Sequence, residues 1–257
     1  VSRIAAIGID AGSTTCKLVA VDDGGAIVSS LLEPTEPRVE LQVRHMLDTL
    51  RAELGTNGDI PTVATGYGRK LIKEASRNVT EITCHAKGVF RDLKQAGTLV
   101  DIGGQDSKVI QVGRDGRPVD FMMNDKCAAG TGRFLEYTAA RLGVPVQELG
   151  DRALGASGEE PISSTCTVFA ESEIISLIAR GADPDAILRG LHRSLVGRVV
   201  SMVRSVGITP PVMLSGGVAK NEAVRRMIAD ATAEDVILPR DPQLMGAYGA
   251  ALLGANA

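Results

Sequence analysis

The chain has no tryptophan, and its aromatic residues amount to three tyrosines and four phenylalanines among 257 residues. Aromatic platforms for stacking bases are therefore scarce. The formal net charge of -3 gives no global attraction to nucleic acid or to an anionic membrane, so neither is expected as a partner. No apolar run approaches the roughly 20 residues that span a bilayer. Val1-Ser2-Arg3-Ile4 leads straight into a strand-like run and does not resemble a signal peptide, so a cytoplasmic location is expected. Four cysteines are too few for a disulfide framework in a chain of this length. In a reducing compartment, metal binding and catalysis compete with plain burial. The Gly-x-x-x-x-Gly-Lys-Ser/Thr phosphate loop is missing, and so is the Gly-x-Gly-x-x-Gly fingerprint.

What is present is ordinary in bulk. Hydrophobic residues make up 44% and charged residues 23%, which suits a globular protein of one large domain or two lobes. The pattern carries more. Asp10-Ala-Gly-Ser-Thr-Thr-Cys-Lys17 and Asp101-Ile-Gly-Gly-Gln-Asp-Ser-Lys108 align without gaps. Each follows an apolar run and continues to a closing Val, Val21 or Val112, and to a turn glycine, Gly25 or Gly116. Each copy reads as strand, tight turn, strand, polar turn, strand. Two unrelated hairpins are the bland alternative, but the Asp, Gly and Lys fall at the same offsets. Two related lobes across a cleft are expected, the first of residues 1–97 plus 245–257 and the second of residues 98–244.

The remainder alternates in α/β fashion. Val39, Val43, Met46, Leu47, Leu50 and Leu54 recur at helical spacing, and Gly55 stands where that helix should stop. Thr62 to Thr65 and Val212 to Leu214 read as short strands. Helices are expected at about 131–142, 167–180 and 184–206. Another begins near Asn221, and Met245 to Leu253 closes the chain as a small-residue helix.

A carboxylate at a strand end, followed by glycine and hydroxyl residues, suits phosphate and its metal. Backbone N–H groups of such a turn can cradle phosphate oxygens. Gly12 lets the backbone approach, Ser13 and Thr14 add hydroxyl donors, and Asp10 can hold Mg2+ through water or position an attacking water. Asp101, Gly103, Gly104 and Gln105 repeat this logic, with Gln105 able to orient water. Gly216-Gly217, after a strand and before a helix, could admit a flat adenosine. Together the three stretches resemble the acetate kinase, sugar kinase, heat-shock chaperone and actin superfamily. That resemblance implies an α/β fold with duplicated ribonuclease-H-like subdomains.

Cys127, in Asn124-Asp-Lys-Cys-Ala-Ala-Gly-Thr-Gly-Arg133, and Cys166, in Ser163-Ser-Thr-Cys-Thr-Val-Phe-Ala-Glu171, both fall just before expected helices. A helix start stabilises thiolate and an anionic cluster. Simple burial is the alternative for any one cysteine. Zinc is disfavoured, because no Cys-x-x-Cys or paired His accompanies them. A cubane usually takes four thiolates, so two per chain predict one 4Fe–4S cluster on the axis of a homodimer. Cys16 reads as a packing residue; Cys84, just before His85 at another expected helix start, could be a ligand but suits a core role better, and His45 and His192 read as ordinary helix residues.

The stretches Gly8 to Thr14, Ala64-Thr-Gly-Tyr-Gly-Arg69, Asp101 to Asp106, Asn124 to Phe134, Ile162 to Glu173 and Ser215-Gly-Gly-Val-Ala-Lys-Asn221 resemble the activator components of 2-hydroxyacyl-CoA dehydratases. These belong with the ATP-binding subunits of benzoyl-CoA reductase, in the BadF/BadG/BcrA/BcrD ATPase family. The resemblance implies that Cys127 and Cys166 hold the shared cluster. It places Ser13, Thr14, Thr15, Cys16, Lys17, Gln105, Gly216, Gly217 and Gln243 near ATP or ADP. Ferredoxin or flavodoxin would load the cluster. ATP hydrolysis would then drive one low-potential electron to a separate dehydratase. A reductase subunit is the neighbouring reading. A metabolite kinase or a non-catalytic nucleotide binder would need neither paired cysteine.

Overall fold

The computed structural model describes residues 3–56, 59–125, 131–163 and 167–255. Its contacts divide the chain into two compact units. The first comprises Val1–Ala96, Val112–Pro118 and Pro239–Ala257, and the second Gly97–Gln111 and Val119–Leu238.

In the first unit, strands β1 (Ile4–Ala11), β2 (Thr15–Asp22), β3 (Ile27–Pro34), β4 (Thr62–Thr65) and β5 (Arg77–Asn78) form one sheet in the order β3-β2-β1-β4-β5. β1 and β2 are buried along most of their length, which is why they read as apolar runs and not as an alternation. β1 pairs antiparallel with β2 and parallel with β4. Helix α1 (Val39–Glu53) buries Val39, Val43, Met46, Leu47 and Leu50, and Gly55 follows it at φ 61°. Helix α2 (Glu81–Leu93) starts at Thr80, whose hydroxyl accepts from the Thr83 amide. This satisfies one of the amides that a helix start leaves over.

The second unit repeats the plan. Strands β6 (Gly97–Ile102), β7 (Ser107–Val112), β8 (Pro118–Asn124), β9 (Val212–Ser215) and β10 (Val236–Ile237) are ordered β10-β9-β6-β7-β8. With β1 to β5 matched to β6 to β10 in turn, the two sheets have the same strand order, so the echo in sequence is a duplicated subdomain. Its core packs against helices α3 (Gly132–Leu142), α4 (Leu149–Gly155), α5 (Thr167–Ala179), α6 (Pro184–Val206) and α7 (Glu222–Thr232). In α6, Ile187, Leu188, Leu191, Leu195, Val199, Val200 and Val203 lie on the buried face. Asp183 caps its start, with Pro184 at the first position, where a missing N–H costs nothing.

Helix α8 (Met245–Ala255) returns to the first unit. It packs against β1 and α2 at backbone contact, because a Cβ at Gly8, Gly88 or Gly249 would overlap the Ala247, Met245 or Cys84 carbonyl. Expected elements appear within a few residues of the sequence reading. The seven-residue α4 and the two-residue β5 and β10 were not foreseen, since segments that short carry too little periodicity to read. No helix among the described residues is long and apolar enough to cross a membrane.

Candidate functional site

In the first unit, the β1–β2 hairpin sets Asp10 opposite Lys17. The Lys17 Nζ donates to Asp10 Oδ2 at 3.0 Å. The turn between them is anchored by Thr35, whose hydroxyl donates to the Gly12 carbonyl at 2.8 Å and whose amide donates to the Thr14 carbonyl at 2.9 Å. A Cβ at Gly12 would come within 2.7 Å of the Thr15 carbonyl and 3.0 Å of Lys17 Nζ. Ser13, Thr14 and Thr15 are half-buried, and the enclosed Thr14 Oγ1 has no hydrogen-bond partner. An open cradle with an unsatisfied hydroxyl fits a phosphate oxygen. Cys16 points the other way, into the core. Burial, aided by the charge of Asp10, pushes its thiol up to about 12.

Two neighbours of Asp10 escaped the sequence reading. Gly66, at φ 89°, brings the Thr65–Tyr67 turn so close that a Cβ there would sit 2.6 Å from Asp10 Oδ1, a conformation and a clearance that glycine alone provides. The turn after β4 was visible as Thr-Gly-Tyr-Gly, but its target was not. The second is His85 on α2, buried. A Cβ at Gly246 of α8 would lie 2.8 Å from His85 Nε2 and 3.1 Å from Asp10 Oδ2, so imidazole and carboxylate converge on that bare Cα. Only the glycine contacts of α2, α8 and β1 reveal this. Beside it, burial pushes the Cys84 thiol up to about 12. Gln243 is half-buried in the turn before α8.

In the second unit the same hairpin is closed more tightly. Lys108 Nζ donates to Asp101 Oδ2 at 3.3 Å and also pairs with Asp106. Ser215 donates its hydroxyl to Asp101 Oδ1 at 2.8 Å. Its strand, β9, runs parallel beside β6 with Asp101 opposite Ser215. The Gly103 amide donates to the Asp106 carbonyl at 2.9 Å. Gln105 is exposed at the tip. The carbonyls of Gly103 and Gly104 accept from the Gly132 and Arg133 amides, each at 2.8 Å. Gly216 follows β9 at φ 88°, with a Cβ there overlapping the Ile102 carbonyl.

One turn of 3-10 helix, Gly217–Lys220, leads to Asn221. The Asn221 carbonyl oxygen accepts from the Val224 amide, and its NH2 donates to His192 Nε2 at 2.9 Å. Since a carbonyl only accepts, the 2.7 Å contact to Leu188 puts the proton on His192 Nδ1. His192 is therefore a fully buried, neutral link between α6 and the cap of α7, not an ordinary helix residue. Burial lowers its pKa.

The structure thus gathers Asp10, Gly12, Ser13, Thr14, Thr15 and Lys17 on one turn of the first unit. It gathers Asp101, Gly103, Gly104 and Gln105 with Gly216 and Gly217 at neighbouring strand ends of the second. Cys127 and Cys166 lie outside the described residues. Among the described residues no group of three or more His, Cys, Asp or Glu could hold a metal ion.

Comparison with known proteins gives first the class. A ROK family glucokinase from Streptomyces griseus superposes with a TM-score of 0.59 at 17% identity, covering 98% of this chain and 99% of that one. At that identity the likeness shows the fold alone, an α/β fold shared with that sugar kinase. Residues 7–254 match the BadF/BadG/BcrA/BcrD ATPase family, and the chain belongs to it. The 2-hydroxyisocaproyl-CoA dehydratase activator of Clostridioides difficile is 42% identical over 248 residues, covering 96% of this chain and 93% of that protein. A solved activator of the 2-hydroxyisocaproyl-CoA dehydratase from Clostridium difficile, with bound ADPNP, superposes with a TM-score of 0.91 at 42% identity, over 98% of this chain and 94% of that one.

Proposed function

We propose that the chain binds and hydrolyses ATP as its magnesium complex, and so drives an electron from a 4Fe–4S cluster shared by two copies onto a 2-hydroxyacyl-CoA dehydratase. The nucleotide part rests on one observation above all. The same Asp–Gly–Lys hairpin occurs in both units, with Gly12 facing Lys17 and Asp10 in the first and Gly103 facing Asp106 in the second, and an Asp–Lys pair in each. Amides of Gly12 to Thr15 and of Gly104 and Gln105 would hold phosphate oxygens, with Thr14 Oγ1 donating as well. Asp10 and Asp101 would hold the water shell of Mg2+, and Lys17 would orient Asp10. Gln105 would orient the attacking water. Gly216 and Gly217 would lie under adenosine, with Gln243 near the nucleotide.

The electron-transfer part is supported by sequence and kinship. Cys166 immediately precedes α5, and Cys127 lies five positions ahead of α3. A relative with 42% identity over nearly the whole chain carries the name of a dehydratase activator. When bound, the cluster supplies a one-electron store whose potential its surroundings tune. Ferredoxin or flavodoxin in the cytoplasm would fill it.

The test is anaerobic purification followed by iron and ATPase assays. About four irons per two chains are expected. Cys127→Ser and Cys166→Ser should each lose the iron while continuing to hydrolyse ATP, and Cys16→Ser should retain it. Iron-free wild-type protein that still hydrolyses ATP would remove the redox half of this reading and leave the nucleotide half.

A further inference from the structure

The two hairpins differ in what their backbone carbonyls hold. In the first, the Gly12 carbonyl accepts from the Thr35 hydroxyl, one residue beyond β3 of the same sheet. In the second, the equivalent Gly103 carbonyl and its neighbour Gly104 accept from Gly132 and Arg133, the first two residues of α3. The start of a helix has amides with no intrahelical acceptor, and here a turn bearing the phosphate-type motif supplies the acceptors.

The peptide unit makes this contact consequential. In a planar trans peptide the C=O and N–H point in opposite directions. The Gly103 carbonyl shares its plane with the Gly104 amide, and the Gly104 carbonyl with the Gln105 amide. With both carbonyls directed at α3, both N–H groups are directed away from it. An anion held by those amides would polarise the same two peptide units whose carbonyls hold α3. Hydrogen bonds linked through one peptide group strengthen one another.

Gly132 also touches the other glycine turn. A Cβ on it would lie 3.0 Å from Val218 Cγ2, in the turn after Gly216, and 3.1 Å from the Gly103 carbonyl. Both glycine turns of the second unit therefore bear on one Cα.

We propose that Gly132 is a positioning residue that couples phosphate on the 103–106 turn to helix α3, through its own amide and that of Arg133. The proposal rests on the reading that this turn binds phosphate. It adds the route by which bound nucleotide is sensed: two rigid peptide planes, and a glycine whose small size lets the helix start seat against both turns. In the first unit the turn is instead pinned to its own sheet by Thr35.

The experiment is amide hydrogen exchange on the intact protein with saturating Mg2+ and either ADPNP or ADP. Exchange at Gly132 and Arg133 is expected to be at least about threefold slower with ADPNP, while the distal end of α3 is unchanged. Gly132→Ala should abolish that difference. Equal exchange at 132–133 in the two states, with the Gly104 and Gln105 amides protected by nucleotide in both, would overturn the coupling and leave phosphate binding standing. Absence of any protection at Gly104 and Gln105 would overturn the phosphate reading and the coupling with it. Should Gly132→Ala fail to fold, the wild-type comparison decides alone.

Discussion

The two Asp–Lys hairpins share a sequence pattern and a sheet topology, yet they sit in different surroundings. Lys17 and Asp10 have side-chain exposures of 13% and 7%, whereas Lys108 and Asp101 have 2% and 3%. Asp101 is held on both oxygens, by Lys108 and by Ser215. Asp10 is held by Lys17 on one, with Gly66 against the other and His85 close by. A duplicated motif has diverged into a sealed copy and a more accessible one. Chemistry at an attacking water or a hydrated metal favours the accessible copy; rigidity of the turn favours the sealed one.

The largest effect should come from breaking the sealed pair. Lys108→Met leaves the buried carboxylates of Asp101 and Asp106 without their cation, which costs about 3–5 kcal/mol when a buried partner is removed. Lys17→Met should cost less, because its pair is not as fully enclosed. Denaturant unfolding of the two variants measures the contrast, and equal losses would erase the distinction between the copies.

Next comes activity. Asp10→Asn should slow ATP hydrolysis about a hundredfold, equivalent to about 2.7 kcal/mol in the barrier, with the unfolding midpoint nearly unchanged. Asp101→Asn should show the opposite balance, losing stability before turnover. Steady-state kinetics alongside unfolding separates the two patterns. His85→Ala should reduce kcat about tenfold with little change in KM if the imidazole acts through Asp10; a change confined to KM would place it on nucleotide binding instead.

The smallest effect is electrostatic and belongs to the second unit alone. His192 is buried and neutral, with its pKa lowered by burial. Above its ordinary value of about 6.5, neither the folded nor the unfolded chain protonates it. Below that value the unfolded chain takes up a proton that the folded chain resists, so stability falls as the pH drops toward the lower folded pKa. Unfolding midpoints between about pH 7 and 5 should decline less steeply in His192→Gln than in wild type. Parallel slopes would mean that His192 does not titrate in this way.

Much of this was legible before any coordinates. The gapless alignment of Asp10 to Lys17 with Asp101 to Lys108 announced the duplication, since strand–turn–strand chemistry is written in adjacent residues. The helix over Val39 to Leu50 showed in its 3.6-residue period, and its stop in Gly55. The roles of His85, Gly66, Gly132 and His192 were not legible. Each acts on a partner dozens of residues away, and none sits in a periodic or motif context that names that partner.

The α/β class, the two related hairpins and the residue types able to handle phosphate follow from the order of residues alone, because periodicity, turn preference and local spacing are short-range properties of the chain. Tertiary structure decided which Asp–Lys pair is sealed, which histidine stands beside Asp10 and which helix hangs on the second turn. Those outcomes depend on backbones meeting where glycines leave no side chain between them. Contacts of that kind are made by the packed fold and exist in no local stretch of sequence.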